Sequence, residues 1–111
     1  MSFRIVILTP EGRFLDEDAE GLVLPVPDGR LGVLAGHAPM LAAVSPGVLV
    51  LRRGDGSQFF AVGSGTAEIG RETVTLVTEA AVRAADALEA EAKTETRRAL
   101  LAEPVPSAEV G

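Results

Sequence analysis

The sequence contains no cysteine, no tryptophan and no tyrosine, and its one histidine is His37. Without cysteine there are no disulfides, no thiolate metal sites and no cysteine nucleophile in this chain. One histidine excludes the two-histidine metal motifs and facial triads. Four Phe are the only aromatic residues, too few for base-stacking platforms or ring-lined sugar sites. Basic side chains are also scarce, ten against sixteen acidic, for a net charge of −6. Such a chain is a poor ligand for nucleic acid phosphates. No long apolar run is present. The longest stretch without a charge, Leu31 to Leu51, is broken by Pro39, Pro46 and glycines, so it does not read as a membrane span. The Met-Ser-Phe-Arg start has no apolar stretch ending in a cleavage site, and no signal peptide is expected. By elimination, a binding or structural role within an assembly leads over catalysis.

What is present falls into two regimes. From Ser2 to Glu79, short runs of Val, Ile, Leu and Phe alternate with turn residues such as Pro27-Asp28-Gly29, Ser45-Pro46-Gly47 and Gly54-Asp55-Gly56. This pattern predicts an all-β sandwich or barrel, with strands near 3–8, 13–16, 20–25, 31–34, 40–44, 48–53, 58–62, 66–69 and 73–78. The pair flanking Gly54-Asp55-Gly56 reads as a hairpin. In the last strand, Thr73, Thr75 and Thr78 beside Val74 and Leu76 suggest one wet face, whereas Phe3 to Leu8 reads as covered on both faces. From Ala80 to Glu103 there are nine alanines and no glycine or proline, which predicts one helix over 80–103. Val82, Leu88, Leu100 and Leu101 are its only bulky apolar residues, so loose attachment is expected. Pro104 and Pro106 stop it, and 104–111 reads as a flexible tail. The expected architecture is therefore a sandwich domain over 1–79, a single helix and a tail.

The chemical candidates are sparse. Gly63-Ser64-Gly65 begins like a dinucleotide fingerprint, but Glu68 stands at the third glycine position and a strand follows, so it reads as a turn. Asp16-Glu17-Asp18 could ligate calcium and reads better as a solvated turn. Asp86, Glu89 and Glu91 beside Lys93, Arg97 and Arg98 read as a salt-bridged helix face. Ser45, Ser57 and Ser64 have one histidine between them as a triad partner, which makes a hydrolase remote. His37 has two readings: a ring that fixes its own loop by a backbone hydrogen bond, or a surface residue that meets a partner. No metal and no cofactor are expected.

The segment around His37 carries a resemblance. Leu24-Pro25, Asp28-Gly29-Arg30-Leu31-Gly32-Val33-Leu34 and Gly36-His37-Ala38-Pro39-Met40-Leu41 resemble, in order, the epsilon subunit of F-type ATP synthases, the delta subunit of mitochondria. Thr9-Pro10-Glu11, Ser45-Pro46-Gly47-Val48-Leu49, the stretch from Phe60 to Ile69 and Val74-Thr75-Leu76-Val77 continue the match over about residues 1–80. The resemblance implies a ten-stranded β-sandwich followed in most members by two helices. It implies a non-catalytic rotor subunit at the cytoplasmic face of the membrane, docked on gamma and resting on the c ring, with transient contact to the alpha/beta head through its helical end. Partner-facing residues by the same resemblance are Asp28, Gly29, Arg30, Leu31, His37, Ala38 and Pro39.

Three departures stand out. Arg30 occupies a position that is acidic in the family, a charge reversal in the loop expected to face the c ring. Ala35 replaces a proline before Gly36-His37. The residues after Glu79 suffice for one helix rather than an antiparallel pair. Some members bind ATP through Ile/Leu-Asp-x-x-Arg-Ala; the matching Leu88, Glu89 and Ala92 lack the arginine. Neither ATP binding nor strong inhibition by the helical end is therefore expected. The competing reading is a free-standing β-sandwich binding module.

Overall fold

A computed structural model describes residues 1–102 of the chain, with side chains through Thr94. Ten strands form two five-stranded sheets. In chain order they are β1 (Phe3–Thr9), β2 (Gly12–Ala19), β3 (Gly21–Val26), β4 (Gly29–Leu34), β5 (Met40–Val44), β6 (Gly47–Arg53), β7 (Gly56–Val62), β8 (Gly65–Ile69), β9 (Thr73–Thr78) and β10 (Ala81–Ala84). A single helix, α1 (Ala87–Ala102), follows. The first sheet runs β2-β1-β9-β8-β5 and the second β10-β7-β6-β3-β4. Every pairing is antiparallel except β1 with β9.

The strands form where apolar side chains recur at every second position, so that one face of each sheet is buried against the other. Ile5 and Ile7, Leu22 and Leu24, Leu49 and Leu51, and Val74 and Leu76 fill the space between the sheets, with Phe60 among them. Each of the larger ones contributes on the order of 2 kcal/mol by leaving water. Positive-φ glycines close the turns: Gly29 (φ 138°) ends the Pro27-Asp28 turn, and Gly54 (φ 62°) lies in the expected β6–β7 hairpin.

Four details differ from the sequence reading. Asp16, Glu17 and Asp18 lie inside β2 and not in a turn, because Arg4 and Arg13 neutralise Asp16 along the strand surface. Residues Ala81–Ala84 form a tenth strand on β7, so the helix starts at Ala87 and not at Ala80. Helix-forming alanines yield there to pairing with an open sheet edge, since propensity is weaker than tertiary contact. Thr78 is buried on the core side of β9, while Thr73 is exposed. In β1, Val6 is buried but Arg4 is exposed.

Asp86 caps the helix, and Glu89 reaches back one residue past it in a variant of the capping box. The Glu89 amide donates to Asp86 Oδ1 at 2.8 Å, and the Ala85 amide donates to Glu89 Oε1 at 2.7 Å. The helix runs back over β7 and β6. Its buried residues there are small, Ala90 and Thr94, while Leu88 is 77% exposed. The bulky residue singled out in the sequence points away from the sheet, and an alanine and a threonine allow the close approach. Leu100, Leu101 and the ion-pairing expected of Arg97 and Arg98 concern side chains beyond those described. The tail reading over 104–111 also lies outside the described residues.

Candidate partner-docking surface

Strand β4 joins the two groups of residues that the resemblance singles out, and it also separates them. Asp28, Gly29, Arg30 and Leu31 sit at the β3–β4 turn. His37, Ala38 and Pro39 sit in the connection that carries the chain from β4 in the second sheet to β5 in the first. Between them runs the length of β4, about 17 Å at strand rise. They are therefore two sites at opposite ends of the sandwich. The Asp28 end also holds Pro10, Ser45-Pro46 and Gly63-Ser64, as the strand registers require. The His37 end also holds Arg53-Gly54 and Gly70-Arg71.

At the Asp28 end, Asp28, Gly29 and Arg30 are exposed, and Leu31 packs partly against the core. Among the described residues, Arg30 makes no ion pair or side-chain hydrogen bond, so its charge faces solvent. The Gly63-Ser64-Gly65 segment here is a structural connection. The buried Thr78 hydroxyl lies 2.9 Å from the Gly63 carbonyl and donates to it. The Gly63 amide donates to Ala80 and the Glu79 amide to Ser64.

At the His37 end, Gly36 takes φ 83°, and the His37 amide donates back to the Leu34 carbonyl at 3.1 Å. The Gly36 amide donates to Arg71, tying this loop to the β8–β9 turn. The imidazole donates from Nδ1 to the Ala38 carbonyl at 2.7 Å, which assigns the proton to Nδ1. The loop-fixing reading of His37 matches this contact. Around the loop lie three large apolar side chains that the fold leaves open: Leu34 (68% exposed), Met40 (40%) and Leu41 (70%). Sequence reasoning missed all three, because strand alternation alone does not say which edge of a sandwich lacks a neighbour.

The polar side chains elsewhere serve the fold. Glu17 points into the seam between β2 and β10, with Arg53 and Arg83 each 3.7 Å away. The Arg83 guanidinium lies over the Phe60 ring, 5.3 Å from its centre, and Phe60 meets Phe14 edge to face. Arg4 binds Asp16 through two hydrogen bonds, which hold the Asp16 carboxyl below the usual carboxylate range despite partial desolvation. Glu89, which stands in the degenerate ATP motif, is committed to the capping box and to Lys93, 3.5 Å away. Leu88 and Ala92 of that motif are exposed. Among the described residues no group of acidic or histidine side chains could hold a metal ion, and no helix is long and apolar enough to cross a membrane.

Two stacked antiparallel-dominated sheets, an appended helix and an open apolar edge define a β-sandwich domain with a surface suited to docking. The chain belongs to the ATP synthase delta/epsilon family: the model of that family's beta-sandwich domain matches residues 2–84. The ATP synthase epsilon chain of Anoxybacillus flavithermus is 35% identical over 98 residues, covering 88% of this chain and 73% of that protein. That of Gloeothece citriformis is 38% identical over 81 residues, covering 73% of this chain and 59% of its own length. Among solved structures, a chain of the Euglena gracilis mitochondrial ATP synthase, in its OSCP/F1/c-ring assembly, superposes with a TM-score of 0.72 at 23% identity, covering 98% of this chain and 71% of that one. A chain of the Tetrahymena thermophila mitochondrial ATP synthase central stalk and c ring gives 0.62 at 16% identity, covering 74% and 66%. At those identities the likeness is one of fold.

Proposed function

We propose that this chain is a central-stalk subunit of a membrane-associated ATP synthase, held to gamma at its His37 end and set against the c ring at its Asp28 end. It performs no reaction itself. It fixes the rotor's gamma subunit to the ion-driven ring at the cytoplasmic face of the membrane, so that ion flow and ATP turnover stay coupled. The observation that carries this reading is the open apolar edge of Leu34, Met40 and Leu41 around the His37 loop. Large exposed apolar side chains on both strands that flank one loop mark that end of the sandwich as suited to a partner. Family membership and the central-stalk settings of the fold's neighbours support it. By the resemblance Asp28, Gly29, Arg30, Leu31, His37, Ala38 and Pro39 face the c ring or gamma, with the Arg30 loop set against the ring. Contact of α1 with the alpha/beta head is transient and its inhibition weak.

The test is co-expression with the cognate gamma subunit and size-exclusion chromatography. Detection belongs near the peptide band, because a chain without Trp or Tyr barely absorbs where aromatic residues do. Co-elution as a one-to-one complex supports the reading. Separate elution at micromolar concentrations overturns it in favour of a free-standing binding module.

A further inference from the structure

On one side of the sandwich the outer strand of the first sheet, β2, faces the outer strand of the second, β10. Arg83 of β10 occupies this seam. Its guanidinium lies 3.7 Å from Glu17 Oε2 on β2 and donates to Gln58 Oε1 on β7 at 3.1 Å. It also stands 5.3 Å from the ring centre of Phe60 and 6.0 Å from that of Phe14. A single side chain thus ties the edges of both sheets.

Strand β10 is weak without such a tie. It has four residues, pairs with one neighbour, β7, and none of its side chains is fully buried. A short edge strand that buries so little belongs to the least stable part of a fold. The same strand is bonded to α1. The Arg83 carbonyl accepts the Lys93 ammonium at 2.8 Å, and the Ala85 amide, just past the end of β10, donates to Glu89. The buried contact of α1 with the sandwich is small: Ala90, and Thr94 with its hydroxyl 3.3 Å from the Gly47 carbonyl. A helix held by so little side chain depends on the strand that leads into it.

We infer that Arg83 is a latch: through it the Glu17 carboxylate of the first sheet holds β10 on β7 and, by way of Lys93, holds α1 on the second sheet. The moving unit is therefore β10 with α1, and the two open from the sandwich together. The inference goes beyond the functional reading above and stands independently of which partner covers the His37 end. The bonds described for Glu17 go to Arg53, Arg83 and Gln58, on β6, β10 and β7. An effect of Glu17 on the helix is thus transmitted by the strand.

Hydrogen exchange on the full chain tests this. Arg83→Gln should speed exchange of the β10 amides bonded to β7, and of the Ala90–Thr94 amides, at least about threefold. Glu17→Gln should speed both groups about twofold, a smaller effect because an exposed ion pair is worth little, and trypsin should cut faster at Lys93. Raising salt should speed both groups in the unchanged chain and have no such effect in Glu17→Gln. Arg53→Gln removes the other guanidinium 3.7 Å from Glu17 but lies on β6, so it should leave α1 exchange unchanged. The double variant should open no further than Arg83→Gln alone. Unchanged α1 exchange in Arg83→Gln or Glu17→Gln overturns the inference. So does β10 that stays protected while α1 opens, which would put the hinge after the strand. Arg53→Gln loosening α1 as much as Arg83→Gln overturns it too, by reducing the effect to net charge. Loss of protection throughout the nine other strands in Arg83→Gln also overturns it, by making Arg83 a support of the whole sandwich.

Discussion

The Thr94 hydroxyl on α1 lies 3.3 Å from the Gly47 carbonyl oxygen at the start of β6, and 2.9 Å from the Ala90 carbonyl one turn earlier in the helix. Its hydrogen is thus shared between the helix and the sheet. With Ala90 fully buried beside it, this small contact is the centre of helix docking. Lys93 adds a hydrogen bond from its ammonium to the Arg83 carbonyl at 2.8 Å. Ala90→Glu should release α1 from the sheet, since a buried carboxylate without a partner costs several kcal/mol. Limited trypsin digestion should then cut at Lys93 faster, while the urea midpoint of the sandwich changes little.

Gly65 is the tightest point of the sandwich. A Cβ there would collide with the Val77 carbonyl and press on the Thr78 backbone. Both obstacles belong to β9, whose register with β8 cannot shift without breaking the first sheet. Gly65→Ala should cost more than about 2 kcal/mol, read from the urea midpoint. Gly32→Ala meets nothing nearby and should be within about 0.5 kcal/mol of the unchanged chain.

Thr78 is a buried hydroxyl that the β7–β8 and β9–β10 connections share through Gly63 and, at 3.2 Å, Ala80. Thr78→Val keeps the shape and leaves these carbonyls short of a donor. A loss of about 1–2 kcal/mol is expected in thermal or urea unfolding.

Asp16 gives a pH dependence with a defined sign. Hydrogen bonds from Arg4 lower its pKa in the folded chain below the ordinary 3.8. A depressed carboxylate stabilises the fold above its unfolded pKa and loses that contribution as pH falls through the lower folded value. Asp16→Asn should therefore melt earlier than the unchanged chain near neutrality, and the two should converge in strong acid. Because the pair is solvent-exposed, added salt should shrink the difference.

Arg30 tests the proposed ring contact. It is exposed at the β3–β4 turn, so Arg30→Glu should leave melting unchanged. Co-sedimentation of a reconstituted stalk with the cognate c ring should weaken at low salt and recover toward that of the unchanged chain as salt rises.

Most of the architecture was legible in the sequence because its signals are local. Alternating apolar residues placed nine strands, and the Gly54-Asp55 turn placed its hairpin. The misread segments are those decided by distant partners. Asp16-Glu17-Asp18 looks like a turn until Arg4 stands beside it across β1. Ala81–Ala84 looks helical until β7 offers an edge. The candidate site was legible as two motifs, but the sequence places Asp28 and His37 nine residues apart without showing that a whole strand holds them at opposite ends. The exposed edge of Leu34, Met40 and Leu41 was not legible, because exposure depends on strand order across the sheet.

The parallel pairing of β1 with β9 has a consequence for biosynthesis. Of the ten strands β1 leaves the ribosome first, and its parallel partner, the β9 residues from Thr73 to Val77, is the ninth. The β3–β4 and β6–β7 hairpins can close on the nascent chain, but Phe3, Ile5 and Ile7 stay uncovered by β9 until nearly the whole sandwich has been translated. During that interval the growing chain displays the apolar side chains of Phe3, Ile5 and Ile7, which makes β1 the natural target for a holding chaperone and the point at which stalled or shortened products would aggregate.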